Sequence, residues 1–244
     1  PDHVIRDIDA VHHYVTAIRA AAEKEGQLGR PALHRIFDHS STKDPVAFQA
    51  AVQWASGGMR SVFLQDANSL IIKPRHLIDI LSHLKYCFPW VERITSYARS
   101  HTIARIRGDD LKAMRNAGLN RIHIGLESGS DQVLKRVAKG VTRDIHIKAG
   151  IKVKEAGMEL SEYVIPGLGG KELSTVHATD TADALNRINP DFIRLRTLAI
   201  PNHIDLFKDV ETGRFENGWT VEFEIPFKSL SFDPTSDTWG LNFS

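Results

Sequence analysis

The sequence has 244 residues, of which 42% are hydrophobic and 25% charged, and its formal net charge is +1. This length suits one large α/β domain or two small ones, and the composition is that of an ordinary globular protein. So small a net charge gives no electrostatic reason to expect nucleic acid or an anionic membrane as a partner. No apolar run approaches a membrane span, no signal peptide is recognisable, and a single cysteine suits a reducing compartment. The sequence therefore predicts a cytoplasmic protein.

The first 58 residues predict two helices. Apolar residues at helical spacing, including Ile8, Val11 and Val15, indicate an amphipathic helix over residues 7–24. A second helix is expected to begin at Pro45, with Asp44 as its N-cap, because an aspartate accepts from the free N–H groups of the first turn. It should end before the Gly57–Gly58 pair.

A regular alternation of strands and helices follows. Short apolar strands are predicted to begin near residues 61, 92, 121, 159 and 191, with helical patterns at 74–86, 109–116, 130–138, 142–156 and 171–187. Units of about 30 residues of this kind predict a parallel sheet with right-handed crossovers. The sheet is either an open doubly wound one or a barrel. We favour a barrel, or an arc of one, because no GxGxxG motif follows the first strand.

The pattern changes after residue 217. In the string GWTVEFEIPF, the apolar residues Trp219, Val221 and Phe223 alternate with polar ones, and TWGLNF at 238–243 alternates again. Two such strands predict an antiparallel β-hairpin. We therefore divide the sequence into a βα domain at residues 1–217 and a hairpin of separate origin at 218–244.

Polar or glycine-rich segments follow every predicted strand of the βα domain. In parallel βα folds, ligands bind where the carboxyl ends of the strands meet. The candidate residues are, in strand order, Asp66 and Asn68, then Ser96 and Arg99, then Glu127 and Ser128, then the segment PGLGG at 166–170, and finally Arg194 and Arg196. The sequence thus predicts one ligand site at this edge of the sheet.

The string RIHIGLESGSDQVLKRVAKGVT at 121–142 resembles the fourth strand and following loop in the barrel of radical S-adenosylmethionine (SAM) enzymes. The likeness extends over about residues 2–215 and is greatest for the coproporphyrinogen oxidase-like and Elongator-type branch. It implies a partial (β/α)6 TIM-like barrel carrying strands two to six. It also implies SAM and a 4Fe–4S cluster as cofactors, and a 5′-deoxyadenosyl radical that abstracts hydrogen from an unknown small-molecule substrate.

The resemblance assigns places around SAM to the polar residues. Asp66 and Asn68 match the loop that contacts the methionine amino and carboxylate groups, although Ala67 stands where the family usually has glycine. Glu127 matches the residue that holds the ribose hydroxyls, and Ser128 beside it is included in the predicted site.

The remaining matches concern the sulfonium and the adenine. Ser96 and Arg99 match polar positions near the sulfonium end, and Gly167 and Gly169 belong to the turn along which adenine lies. Arg194 and Arg196 match the last strand, and Arg196 is included in the predicted site. Plainer interpretations stay open, because Glu127 could simply favour the dipole of the following helix and Asp66 could be a turn residue.

The CxxxCxxC loop of the family is missing from these 244 residues, and with it the first barrel strand. Cys87 is the one cysteine, and it follows a helix. Since iron–sulfur clusters are held by cysteine thiolates, no metal ligands are assigned, and this fragment alone is expected to be inactive. We also expect self-association through the unpaired strand near 61–65.

Two other functions remain open. A barrel that binds SAM or a nucleotide without catalysis would need no cluster. The 27-residue tail resembles one hairpin of a family-9-type carbohydrate-binding β-sandwich, which would suit an extracellular sugar-binding module. His76 and His83 do not have the i, i+4 spacing of a helical metal site, and Cys87 is interpreted as a small buried hydrophobic residue.

Overall fold

A computed structural model describes residues 2–26, 28–198, 208 and 212–213. The boundary predicted at residue 217 and the hairpin predicted at 218–244 lie outside these residues. Within them the helices are α1 (Asp2–Glu25), α2 (Arg30–His39), α3 (Pro45–Ser56), α4 (Pro74–Cys87), α5 (Ser100–Arg105), α6 (Gly108–Asn116), α7 (Asp131–Arg136), α8 (Arg143–Glu155) and α9 (Ser174–Ile188). The strands are β1 (Ser61–Leu64), β2 (Arg93–Ala98), β3 (Leu119–Glu127), β4 (Glu159–Val164) and β5 (Phe192–Leu195).

The five strands form one parallel sheet in the order β1-β2-β3-β4-β5. On β3 and β4, Ile122 lies opposite Leu160 and Ile124 opposite Glu162, with a register shift between Gly125 and Glu127. Each strand is thus a sequence neighbour of the strand beside it, as repeated right-handed βα units require. The predicted α/β class with a parallel sheet is confirmed.

The described residues form two compact units, and the first comprises residues 2–26, 28–64, 72–95 and 113–120. Here α1 packs against α2, α3 and α4. Tyr14 of α1 is fully buried, and its hydroxyl accepts from the backbone N–H of Asp44 at 3.1 Å. The Asp44 side chain in turn caps α3 by accepting from the N–H of Ala47 at 2.9 Å, which confirms the predicted N-cap.

Among the described residues, the second unit comprises 65–71, 96–112, 121–198, 208 and 212–213. Here α8 packs against α5, α9 and β4. The outer face of β3 contributes Ile122, Ile124 and Leu126, which are all fully buried. Among the described residues, no helix is both long enough and apolar enough to span a membrane.

Candidate cofactor site

The inner face of the sheet in the second unit carries a cluster of aromatic side chains. Tyr97 of β2, His123 of β3 and Tyr163 of β4 lie on neighbouring strands, and their ring centroids are 5.4–6.1 Å apart. The guanidinium carbon of Arg196, just beyond β5, lies 4.8 Å from the Tyr163 ring centroid. Four consecutive strand segments therefore present large, hydrogen-bonding side chains on one surface. We call these four residues the aromatic face.

Electrostatics on the aromatic face favour a neutral histidine. Burial, aided by the charges of Arg194, Arg121 and Arg196, lowers the pKa of His123 to about 4. A hydrogen bond with Tyr163, together with burial, raises the pKa of Tyr97. At neutral pH the fixed charge of this face therefore comes from arginine, and the phenols and the imidazole add neutral donors and acceptors.

Glu127 stands at the carboxyl end of β3 in an unusual backbone conformation. Its φ is 61°, in the left-handed region that non-glycine residues seldom adopt, and its carbonyl accepts from the N–H of Ile165 at 3.1 Å. Its Oε1 atom accepts from Lys139, which follows α7. The Glu127 side chain is 28% exposed, and a carboxylate has a second oxygen. The ion pair thus holds the carboxylate in place and leaves it able to accept from a ligand.

The loop after β1 is held by Asn68. The side-chain oxygen of Asn68 accepts from the N–H of Arg99 at 3.0 Å, and its side-chain nitrogen donates to the Thr102 hydroxyl at 3.0 Å. Asn68 therefore links this loop to the start of α5. Asp66 in the same loop has a φ of 102° and is exposed, with Oδ1 accepting from the N–H of Ala67 at 2.6 Å.

Ser96 lies on the opposite face of β2 from Tyr97, because side chains alternate along a strand. It is fully buried, and its hydroxyl donates to the Tyr97 carbonyl at 3.1 Å. Arg99 is exposed at the N-terminus of α5. These two predicted site residues therefore face away from the aromatic face or out toward solvent.

Ser128 and His177 form a buried chain of hydrogen bonds. His177 Nε2 lies 3.1 Å from the Ile165 carbonyl, which can only accept, so Nε2 carries the proton. His177 Nδ1 then accepts from the Ser128 hydroxyl at 2.8 Å, and Ser128 Oγ accepts from the N–H of Ser130 at 3.0 Å. Burial lowers the pKa of His177, which keeps this tautomer neutral. Ser128 is fully buried and fixes the loop that carries Glu127.

The glycine-rich segment after β4 has two distinct requirements for glycine. Gly167 has a φ of 80°, which favours glycine. A Cβ at Gly169 would lie 2.7 Å from the Leu173 carbonyl oxygen and 2.9 Å from His177 Cβ, so this glycine permits close approach of α9. Gly169 thus serves packing in the described structure, whereas Gly167 shapes the turn.

The nine predicted site residues therefore differ in whether their polar groups are available to a ligand. Glu127 and Arg196 present charged groups, with Tyr97, His123 and Tyr163 on the adjoining strands. Ser96, Asn68 and Ser128 use their polar atoms within the protein. The sequence analysis selected none of Tyr97, His123 and Tyr163. The signal available was shared strand parity, since all three alternate with buried neighbours on β2, β3 and β4.

A sequence model of the Radical SAM superfamily matches residues 35–181, which is more than half of the chain. The chain belongs to the radical SAM superfamily. The comparison with curated proteins gives no significant match. Superfamily members use SAM and a 4Fe–4S cluster, and their structures are TIM-like barrels.

Several solved structures of radical SAM proteins are similar to the chain. The Elp3 protein of the archaeon Methanocaldococcus infernus, lacking its N-terminal residues, aligns with a TM-score of 0.54 and 15% identity over 70% of this chain and 45% of that one. Coproporphyrinogen III oxidase (HemN) from Escherichia coli aligns with a TM-score of 0.49 and 15% identity over 65% of this chain and 35% of that one. Methylornithine synthase (PylB) aligns with a TM-score of 0.44 and 16% identity over 55% of this chain and 37% of that one. The chain spans less than half the length of each, and at this identity the Elp3 likeness supports the fold alone.

The two cofactors of the superfamily fit these 244 residues differently. The single cysteine, Cys87, lies on α4 beside Asp9 and His83, so the chain does not supply the thiolates of a 4Fe–4S cluster. The groups at the strand ends do fit a nucleoside with charged ends. Glu127 offers a carboxylate for hydroxyls, and Arg196 offers a cation next to an aromatic ring.

Proposed function

We propose that residues 1–217 form the SAM-binding core of a radical SAM enzyme. In the superfamily, SAM supplies a 5′-deoxyadenosyl radical that abstracts hydrogen from a substrate. The observation that carries the proposal is the placement of Glu127. Its carboxylate is fixed by Lys139 at the carboxyl end of β3, the edge where parallel sheets bind ligands.

Each group in the proposed site has a definite task. Glu127 accepts from the ribose hydroxyls, and its ion pair with the Lys139 ammonium orients the carboxylate. Arg196 binds an anionic group such as the methionine carboxylate, while Asp66 in the loop after β1 accepts from the amino group. The Gly167 turn exposes backbone N–H and C=O groups to the adenine. Tyr97, His123 and Tyr163 border the space in which a substrate would meet the reactive carbon.

The cluster part of this function needs polypeptide beyond the 244 residues, because one cysteine cannot replace three. We therefore expect the 244 residues to bind SAM without cleaving it. The same observation favours a second candidate, a barrel that binds SAM or another nucleoside without catalysis. Cleavage of SAM by a longer chain that carries three thiolates separates the two, since only the first candidate predicts it.

Replacing Glu127 by alanine should weaken SAM binding by about 10–100-fold, because a charged hydrogen bond contributes roughly 1.5–3 kcal/mol. Isothermal titration of the purified chain with SAM measures this. Glu127→Gln keeps one acceptor and should fall between wild type and Glu127→Ala. The matched control is Glu155→Gln, an exposed glutamate on α8, which should leave the affinity unchanged.

Two results would count against this proposal. If wild type gives no heat with SAM, the chain has no SAM site. If Glu127→Ala binds SAM as tightly as wild type but unfolds more easily, Glu127 serves only its ion pair with Lys139. Urea unfolding of each variant in the absence of SAM separates the two roles.

We further propose that β1 mediates self-association of the isolated chain. In the described sheet β1 is an edge strand, and its Phe63 is 37% exposed. Trp54 donates to the Ser61 carbonyl at 2.7 Å, so one backbone acceptor of this strand is already occupied. Light scattering behind a sizing column should show a concentration-dependent oligomer that Phe63→Lys reduces. Ile151→Lys on α8, at a residue of similar exposure outside the sheet, is the control. A monomer at every concentration would contradict the proposal.

A further inference from the structure

Three potential metal ligands converge in the first unit. Asp9 belongs to α1, and His83 and Cys87 belong to α4. Each contributes one ligand atom, and the three atoms all lie within 4.8 Å of one another. His83 and Cys87 are four residues apart, so they share one face of the helix. Asp9 reaches that face from α1, which packs against α4.

The geometry does not suit a nucleophilic triad. A triad needs a histidine that contacts the nucleophile through one ring nitrogen and the acid through the other. Here the same atom, His83 Nε2, lies 2.7 Å from Asp9 Oδ1 and 3.6 Å from Cys87 Sγ. Burial, together with the charge of Asp9, raises the pKa of the Cys87 thiol, which is the reverse of an activated nucleophile.

A cation site instead requires ligand atoms that converge on one point. With typical zinc bond lengths, a tetrahedral ion separates sulfur from nitrogen or oxygen by about 3.6 Å, and nitrogen from oxygen by about 3.4 Å. The observed separations from Cys87 Sγ are 3.6 Å to His83 Nε2 and 4.0 Å to Asp9 Oδ1. The 2.7 Å contact between His83 and Asp9 has to lengthen, and the separation of Asp9 Oδ1 from Cys87 Sγ has to shorten slightly. That contact joins two partly exposed side chains, 27% and 56% accessible, so their rotamers can adjust.

We propose that Asp9, His83 and Cys87 bind a transition-metal cation of the Zn²⁺ class, with solvent as the fourth ligand. Thiolate, imidazole and carboxylate together suit Zn²⁺ or Co²⁺ and are a poor set for Mg²⁺ or Ca²⁺, which prefer oxygen alone. Cys87 is 5% exposed and forms the inner wall, while the exposed Asp9 leaves an entry path. Binding displaces the thiol proton to solvent, and the cation offsets the charge of the thiolate that forms.

A metal ion bound at this site would link two helices that are distant in sequence. Asp9 precedes His83 by 74 residues, so the ion closes a long loop between α1 and α4. Because the three ligands are assembled only in the folded chain, metal binding should stabilise it. At a hundredfold excess of free metal over Kd, the melting temperature should rise by about 5–10 °C.

Cobalt provides a selective probe, because Cys87 is the single cysteine of the chain. Addition of Co²⁺ to the reduced protein should produce a thiolate-to-cobalt charge-transfer band, with visible bands typical of tetrahedral coordination. Zn²⁺ should abolish this spectrum stoichiometrically and should protect the thiol from a disulfide reagent. Competition with a chromogenic chelator then gives the Kd for Zn²⁺.

Variants assign the ligands. His83→Gln and Asp9→Asn should each weaken Zn²⁺ binding by more than about tenfold, and Cys87→Ser should also remove the charge-transfer band. Asp9→Asn is exposed and should fold normally, which circular dichroism checks. His76→Gln and Asp79→Asn, on α4 outside the cluster, are the matched controls. Zn²⁺ binding that is absent in wild type, or that survives both His83→Gln and Asp9→Asn, overturns the proposal.

Discussion

Gly129→Ala is expected to lower the free energy of unfolding by about 3–5 kcal/mol, a large part of the roughly 5–15 kcal/mol that stabilises a domain. A Cβ at residue 129 would lie 2.3 Å from the Asp180 carbonyl oxygen and 2.7 Å from Thr181 Cα. Both are backbone atoms of α9, so no rotamer change relieves the clash. The shift needed would also disturb the 2.9 Å hydrogen bond from the Gly129 N–H to the Thr181 hydroxyl.

Urea unfolding followed by circular dichroism measures this loss. Gly108→Ala is the matched control, because a Cβ there meets nothing within 4 Å and its φ is not positive. It should unfold within about 0.5 kcal/mol of wild type. A Gly129→Ala protein as stable as the control would show that the loop and α9 are not packed as the structure has them.

The positions of the strands could be predicted from the sequence because their apolar pattern is regular. The strands predicted near 92, 121 and 191 begin at Arg93, Leu119 and Phe192, because apolar runs bounded by turn residues are a strong local signal. The helices α2 and α5 were not predicted. The Arg30–His39 segment has only one buried residue, Ala32, and the Ser100–Arg105 segment is six residues long. Neither segment offers enough periodic apolar positions to indicate a helix.

The candidate site was harder to predict than the fold, because polar residues near strand ends have two competing uses. Glu127 has the chemistry that the resemblance implies. Ser128, the next residue, has its hydroxyl committed to His177 of α9, 49 positions further along the chain. No local pattern reports such a partner. Sequence position selects the right loops, and only the tertiary contacts show which side chains within them are available to a ligand.

The cluster of Asp9, His83 and Cys87 was also not predicted from the sequence. His83 and Cys87 have the i, i+4 spacing that was sought among histidines alone, and the third group comes from α1. The pairing of α1 with α4 depends on how their apolar faces pack. Residues such as Val15 and Leu81 signal burial, and they do not specify the partner helix.

Polar residues are also buried on the outer side of the sheet. Glu162 of β4 is fully buried, and neither of its oxygens makes a well-formed hydrogen bond with a described residue. Burial raises its pKa well above the usual range, although Lys139 and the Leu126 N–H oppose this. Its contribution to stability is therefore greatest at acid pH and falls as pH rises above the ordinary glutamate pKa. The lowered pKa of His146, on α8, has the opposite effect on how stability depends on pH.

His146 should make the protein lose stability as the pH falls from about 6.5 to about 4. It is fully buried, and its Nδ1 lies 2.5 Å from the Ser100 hydroxyl, while Nε2 has no partner among the described residues. Burial, aided by the charge of Lys139 and opposed by Asp131, lowers its pKa from 6.5 to about 4. Between these values the unfolded chain binds the proton and the folded chain does not, so acid favours unfolding. The loss should approach about 3 kcal/mol at pH 4.

The comparison of wild type with His146→Gln isolates this contribution, because Glu162, His123 and His177 titrate in both proteins and cancel in the difference. Urea unfolding at a series of pH values from 7.5 to 4 gives the two curves. At pH 7.5 the variant should be the less stable, since the Ser100 contact is lost, and the gap should narrow by about 3 kcal/mol as pH falls to 4. His101→Gln, at an exposed position on α5, should run parallel to wild type. A gap that stays constant with pH would mean that water reaches His146 and that its imidazole is protonated in the folded protein as readily as in the unfolded chain.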